Sequence, residues 1–169
     1  FTGGGKDRVQ LLNVIFHVHG VTPHCLYFRK VEISGYQIVQ DFELVAVQIV
    51  FGDTDIFRRN YCWQIDRCLD AEAMSKAAGY IAGTHDFACF QASGGQERET
   101  TVRTIYSLDV CRNDEEIEIS VTGDGFLYNM VRIITGTLVE VGKGRMAPEY
   151  IEEIISSKDR TKAGPTAPP

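Results

Sequence analysis

The stretch from Gly123 to Gly142 constrains the fold more than any other part of the sequence, because a glycine-containing turn runs directly into a strongly apolar helix. Asn129, Arg132 and Gly136 are predicted to lie together on this helix. An arginine in such a position either pairs with an acid for structural reasons, or holds an anion or a catalytic acid. Elsewhere on the helix, apolar residues at helical spacing predict a buried stripe: Phe126, Met130, Ile134, Leu138 and Val141.

Strand patterns occur both before and after the middle of the chain. Residues 26–33 and 44–51 are rich in β-branched and aromatic side chains, which favours strands. Residues 102–111 and 116–121 alternate polar with apolar side chains across Asn113-Asp114, which predicts a β-hairpin.

Helix patterns separate these strands, so the sequence predicts an α+β domain with a mixed, mainly antiparallel sheet and helices packed on one face. One helix is predicted over residues 70–82 with Asp70 as its N-cap, and another over residues 150–157 after Pro148. Residues 84–90 are predicted to form a compact loop with two aromatic anchors.

The composition indicates one soluble domain with a real core. Of the 169 residues, 44% are hydrophobic and 24% charged, and no apolar run or secretory signal suggests a membrane or an export route. The five cysteines have no CxxC spacing, which favours free thiols in a reducing cytoplasm. A net charge of −6 argues against nucleic acid coating the whole surface, while a local basic face stays compatible with RNA.

A cluster of histidines near the N-terminus is a candidate metal site. Its spacing suits zinc, but no second ligand motif supports it, and a strand with tolerated histidines is the favoured interpretation. The cluster consists of His17, His19, His24 and Cys25.

Two acidic motifs also have a functional and a structural interpretation. Asp53-Thr54-Asp55 is either a reactive or metal-binding carboxylate or, as we favour, a solvated turn. His85 and Asp86 are either an acid–base pair or a loop in which Asp86 caps backbone groups, and we favour the second.

Basic residues are spread through the last two thirds of the chain, and several flank aromatic ones, such as Tyr106 and Tyr128. This combination suits phosphate contact and base stacking, although an ordinary solvated surface has a similar pattern.

Beyond these patterns, residues 53–168 resemble the C-terminal part of the tRNA pseudouridine synthase A family. Five ordered blocks at family-like spacing carry the resemblance. They are residues 59–65 with Leu69-Asp70-Ala71-Glu72-Ala73-Met74, Gly83-Thr84-His85-Asp86-Phe87 with Phe90, Thr101-Val102-Arg103-Thr104-Ile105, Phe126-Leu127 and Met130-Val131-Arg132 with Gly136-Thr137-Leu138, and Asp159-Arg160-Thr161 with Ala163-Gly164-Pro165-Thr166-Ala167-Pro168.

The resemblance implies a cytoplasmic homodimeric enzyme that isomerises uridine to pseudouridine in the anticodon arm of tRNA, without metal or cofactor. In this family a catalytic aspartate attacks the nucleotide after the base leaves its stack. Arg132 would pair with that aspartate and keep it ionised. Leu127 would pack by the flipped base, and Phe126, Arg103 and His85 complete the implied substrate-binding set.

The chain also departs from the family. The family's aspartate motif, G-R-T-D-x-G-V-H, does not occur, and we do not assign its role to Asp55. When Gly52 is aligned with the family's Asn-Gly turn, Val45 falls where the family has an active-site tyrosine. Residues 1–52 are predicted to be a divergent or non-family segment, mostly β, and residues 53–169 the C-terminal part of a pseudouridine synthase-like domain. The chain stops at Pro169, before the family's closing Gly-Leu-x-Leu strand.

Whether this chain is an enzyme by itself therefore stays open at the level of sequence. The first hypothesis is a truncated or divergent pseudouridine synthase with little activity on its own. The alternative is a non-catalytic RNA-binding or assembly module that retains half of the fold. A zinc-binding domain built on the histidine cluster is less favoured.

Overall fold

The computed structural model describes residues 10–14, 25–34, 37–51, 62–95 and 99–168, with the backbone alone before residue 45. Within these residues a seven-stranded sheet has the order β1-β2-β3-β7-β6-β5, and β4 pairs with β3 off this path. Its strands are β1 (Gln10–Val14), β2 (Cys25–Ser34), β3 (Gln37–Phe51), β4 (Trp63–Ile65), β5 (Gly83–Asp86), β6 (Val102–Asn113) and β7 (Glu116–Gly123).

The sheet is mixed and mainly antiparallel, as the sequence predicts. Only the β3–β4 pair is parallel among the described strands. The predicted hairpin is confirmed as β6 and β7, with Asn113 opposite Glu116 and a turn in which Asp114 has φ 52°. Aspartate tolerates this left-handed conformation better than most residues.

Three helices pack on one face of the sheet: α1 (Ala71–Ile81), α2 (Met130–Gly142) and α3 (Tyr150–Ser157). Alternate residues of β7, namely Ile117, Ile119 and Val121, are buried against them, while the residues between are only partly covered. The period of two along the strand therefore separates a core face from a polar face. None of the helices in the described residues is both long enough and apolar enough to cross a membrane.

Helix α1 confirms its sequence prediction closely. The Asp70 side chain accepts a hydrogen bond of 3.0 Å from the backbone N–H of Ala73, so it is the N-cap. The buried residues occupy the predicted apolar side of the helix: Met74, Ala77, Ala78 and Ile81.

The predicted loop at residues 84–90 is partly wrong. Gly83–Asp86 form strand β5, which pairs antiparallel with the start of β6, and a short 3₁₀ turn over Ala88–Phe90 follows. None of the four residues of β5 has an apolar side chain, so no alternation of polar and apolar residues predicts a strand there. The strand forms because the edge of β6 is available for pairing. Phe87 and Phe90 are both fully buried, which confirms them as anchors.

The single apolar stripe predicted for residues 126–141 is incomplete. Eleven of the thirteen residues of α2 are buried, including Thr135 and Val139, which lie on the side opposite the stripe. Phe126 precedes the helix and is only half-buried. Helix α2 is therefore covered on nearly every side.

Strands from both sides of the predicted boundary at residue 52 join the same sheet, because β3 pairs with β7. The separate origin of residues 1–52 stays a prediction. Asp53, Asp55 and the three histidines of the candidate zinc cluster lie outside the described residues.

Candidate functional site

The turn between β7 and α2 is held against strand β6. The backbone N–H of Asp124 donates to the Thr104 carbonyl at 3.0 Å, and the Thr104 N–H donates to the Asp124 side chain at 2.9 Å. A Cβ on Gly123 would lie 2.9 Å from the Thr104 carbonyl oxygen, so the close approach requires glycine. Asp124 is thus engaged with β6 and forms no ion pair with Arg132.

Leu127 closes this turn from inside. Its side chain is only 3% exposed, and its carbonyl accepts a 3.0 Å hydrogen bond from the Met130 N–H at the start of α2. Asn129 follows with φ 57° and makes no side-chain cap on the helix. Its side chain is consequently available to Arg132.

Arg132 is held by two neutral acceptors. Its Nε and Nη2 donate to the Ala167 carbonyl at 2.9 and 2.7 Å, and its Nη1 donates to Asn129 Oδ1 at 3.2 Å. A guanidinium has five N–H donors, so Nη1 and Nη2 each retain one. Neither remaining donor meets an acceptor among the described residues, and none of the ion pairs found there includes Arg132.

Residues 159–168, which we call the C-terminal segment, lie along α2 and supply the Ala167 carbonyl. The Ala167 N–H donates to the Arg132 carbonyl at 3.0 Å, so the two residues are joined through both backbone and side chain. The Gly164 N–H donates to Thr137 Oγ1 at 2.9 Å. A Cβ on Gly136 would lie 1.8 Å from the Pro165 carbonyl oxygen, so this contact excludes any side chain there.

Arg160 and Asp159 shape the C-terminal segment itself. Arg160 Nη1 donates to the Gly164 carbonyl at 3.0 Å, and Nη2 donates to Thr166 Oγ1 at 3.2 Å. Asp159 is the N-cap of the 3₁₀ turn Arg160–Lys162 and accepts from the Thr161 N–H at 2.9 Å. Sequence reasoning recognised this segment as a motif but missed its contact with Arg132; the glycine in the middle of α2 was the signal, since glycine weakens a helix interior.

Arg103 and His85 face each other across β5 and β6 as a register pair. Arg103 Nη1 donates to the carbonyls of Val102 and Thr100 at 2.6 and 3.1 Å, and its Nε would be 4.0 Å from a Cβ on Gly125. Arg103 therefore lies beside the turn that leads into α2. Its substrate-binding role, like that of Phe126 and Leu127, stays a prediction.

His85 is oriented away from Asp86. Its Nε2 lies 3.1 Å from the Ala82 carbonyl, and its ring packs edge-on against Phe87 with centroids 5.7 Å apart. The structure thus supports the favoured interpretation, in which the two neighbours do not act as an acid–base pair.

Asp86 has a structural set of partners. Its Oδ2 lies 2.7 Å from Lys158 Nζ, and its Oδ1 accepts from the Thr101 hydroxyl and from the Ala88 N–H. The hydrogen bond from Lys158, and then that from Thr101, lower the pKa of the Asp86 carboxyl below its ordinary 3.8. Asp86 therefore stays ionised and ties β5 to the end of α3.

The described cysteines and acidic residues offer no metal centre. Cys68, Cys89 and Cys111 are free thiols, and burial raises the pKa of the Cys89 thiol to about 11, so it is protonated near neutral pH. Among residues with described side chains, no three potential ligands come together for a metal ion.

Comparisons with known proteins match most of this chain to one family. Residues 77–169 match the family model described as tRNA pseudouridine synthase. The chain is 53% identical over 111 residues to tRNA pseudouridine synthase A of Thermoanaerobacter sp. (strain X514), a match that covers 66% of this chain and 45% of the relative. It is 46% identical over 145 residues to tRNA pseudouridine synthase A of Clostridium acetobutylicum, covering 86% of this chain and 55% of the relative.

The chain thus spans about half the length of the curated relatives it matches. The family match includes α2, Arg132 and the C-terminal segment that holds Arg132. On the extent of that match, the chain belongs to the tRNA pseudouridine synthase family.

Proposed function

We propose that this chain provides the arginine half of a site that isomerises uridine to pseudouridine in the anticodon arm of tRNA. The observation that carries the proposal is the state of Arg132. Neutral acceptors hold its guanidinium on one side, and one N–H on each Nη atom is left for an incoming anion.

We propose a carboxylate as the anion that binds these two donors. Arginine and a carboxylate form paired N–H···O bonds, and a nearby positive charge favours the ionised carboxylate. An ionised and oriented carboxylate is what nucleophilic attack on a nucleotide requires. The proposed carboxylate belongs to a family motif absent from this chain, so we propose that a longer protein completes the site.

The RNA would lie beside the turn that precedes α2. Arg103 lies near Gly125, where it would contact a phosphate, and half-buried Phe126 would offer apolar surface on the same turn. Leu127 is 3% exposed, so it would pack by the base only once the turn moves. A base that has left its stack needs such an apolar wall next to the reacting groups. His85 belongs to the proposed RNA-facing set through its register with Arg103. The proposal includes a cytoplasmic homodimer that uses no metal or cofactor.

The test is pseudouridine formation on an unmodified tRNA transcript. We would compare this chain with the gene product that includes the coding sequence preceding Phe1. We expect the longer product to be active and this chain alone to show little turnover. Arg132→Lys should abolish the activity of the longer product, because a lysine cannot form the paired contact. Arg145→Lys is the matched control, since Arg145 is exposed and pairs with Glu140.

Two results would contradict the proposal. Robust turnover by this chain alone would show that its own carboxylates suffice. Full activity of the longer product with Arg132→Lys would show that the guanidinium does not hold the reacting acid.

A non-catalytic RNA-binding module is the second candidate, because Arg132 already has neutral partners and needs no carboxylate for a stable fold. It predicts salt-sensitive tRNA binding without turnover by either product. Binding that does not weaken between low and high salt would remove this candidate.

A further inference from the structure

The acceptor that orients Arg132 comes from a distant part of the chain. Ala167 is 35 residues beyond Arg132 and is itself 3% exposed, so its carbonyl is delivered by the C-terminal segment as a whole. We infer that the C-terminal segment is a positioning device for Arg132: Gly136, Thr137 and Arg160 seat the Ala167 carbonyl, which turns the free Nη donors toward the anion. The importance of this for catalysis rests on the proposed function, but the positioning itself does not.

The first step in the argument is the close contact between two glycines and the neighbouring backbone. A Cβ on Gly136 would lie 1.8 Å from the Pro165 oxygen, and a Cβ on Gly164 would lie 2.6 Å from the Thr137 Cα. These distances are far below van der Waals contact, so any side chain at either position displaces the segment from α2. The helix accepts a glycine in its middle despite the weakening this brings. In return, the backbone of the C-terminal segment can approach the backbone of α2 closely.

The second step is a hydrogen-bonded link through a buried hydroxyl. Thr137 Oγ1 donates to the Ile133 carbonyl at 2.8 Å and accepts from the Gly164 N–H at 2.9 Å. Thr137 is fully buried, so a Gly164 N–H without this acceptor would have no water to replace it. The link sets the position of the segment along the helix axis.

The third step is the set of hydrogen bonds that Arg160 forms within the C-terminal segment. Arg160 donates to the Gly164 carbonyl and to Thr166 Oγ1, and these residues flank Pro165. The segment is thereby shaped between Arg160 and α2 before it reaches Ala167. An unrestrained arginine side chain has many rotamers. The fixed Ala167 carbonyl restricts Arg132 to few of them before an anion binds.

The experiment follows the Arg132 side chain directly in the ¹⁵N-labelled full chain. The Nε–H resonance of Arg132 is assigned by its loss in Arg132→Lys, and its exchange with water is measured. We expect this N–H to exchange about tenfold more slowly than the Nε–H of exposed Arg145, because only the former is hydrogen-bonded to a buried carbonyl.

Gly136→Ala should bring the Arg132 exchange rate close to that of Arg145 while the backbone amides of α2 keep their protection. Gly79→Ala is the matched control, because a Cβ on Gly79 in α1 meets nothing within 4 Å. If Gly136→Ala disturbs the whole helix, the exchange rate of the Arg132 Nε–H in Thr137→Val tests the positioning role instead. Thr137→Val keeps the shape of the side chain and removes the hydrogen bond to Gly164. Thr137→Ser retains a hydroxyl and should restore slow exchange.

An acetate titration in the same spectra separates this inference from the proposed function. We expect acetate to shift the Arg132 Nε–H resonance in the unmodified chain. In Thr137→Val we expect the dissociation constant for acetate, taken from the same shift, to rise at least about threefold. Exchange that is unchanged in both Gly136→Ala and Thr137→Val would overturn the positioning role. An Arg132 resonance that does not respond to acetate in the unmodified chain would count against the carboxylate of the proposed function, while slow exchange lost in Thr137→Val would still support the positioning role.

Discussion

Helices α1 and α2 each carry apolar residues at helical spacing and a glycine in the interior, yet their surroundings differ. Helix α1 buries one side, and its Gly79 faces open space. Helix α2 is buried on nearly every side, and its Gly136 is pressed against Pro165. An apolar stripe therefore predicts which side of a helix packs on the core. It does not predict whether a segment distant in sequence covers the opposite side.

The largest expected effect concerns Val139, which lies on the side of α2 opposite the predicted stripe and is nevertheless fully buried. Val139→Ala should lower the free energy of unfolding by roughly 2–3 kcal/mol, about as much as Val141→Ala on the stripe, because both leave a cavity in the core. Urea unfolding measures both. A cost below about 0.5 kcal/mol for Val139→Ala would be the value expected of a surface residue and would show that α2 has an uncovered side.

Gly136→Ala should have the next largest effect. The added methyl meets the Pro165 carbonyl, so the C-terminal segment must shift, at a cost of about 1–3 kcal/mol in the free energy of unfolding. Urea unfolding again provides the measurement. An unchanged or increased stability would mean that the segment does not lie against α2, and the contrast with α1 would then disappear.

Gly79→Ala should act in the opposite direction. Alanine is a better helix former than glycine by about 1 kcal/mol, and the added methyl on α1 has room. We expect a small rise in the free energy of unfolding and in the melting temperature. A loss of stability would show that this side of α1 is covered in solution, which would make the two helices alike.

The smallest expected effect concerns the ion pair between Asp86 and Lys158, the residue just before the C-terminal segment. Asp86 pairs with Lys158 at the end of α3, and its lowered pKa means that the folded state favours the ionised carboxyl. Its stabilisation is therefore full above the ordinary pKa of 3.8 and is lost as the pH falls through the lower pKa of the folded state.

Asp86→Asn should cost less than about 1 kcal/mol near neutral pH, because Lys158 is largely exposed to solvent. The difference from the unmodified chain should shrink as urea unfolding is repeated from pH 6 down to pH 3. Asp66→Asn at an exposed position serves as the control. A difference that grows toward pH 3 would contradict the lowered pKa.

Local sequence patterns predicted the elements that are stabilised by residues close to them in sequence. The Asp70 cap and the apolar side of α1 are consequences of side chains within one or two turns, and the β6–β7 hairpin follows from alternation across a turn. Strand β5 was missed because a polar four-residue segment becomes a strand only when a neighbouring strand offers its edge. The surroundings of α2 were missed because its cover comes from residues 159–168, far along the chain.

The candidate site divides in the same way. Sequence alone singled out Arg132 as an arginine needing a partner on an apolar helix, and the family motifs around it were readable as a resemblance. Which groups hold its guanidinium was decided only by the tertiary structure, because the Ala167 carbonyl carries no side-chain signature and reaches Arg132 through contacts that span 35 residues. Backbone acceptors are present in every residue, so only the folded chain shows which one is placed where a guanidinium can use it.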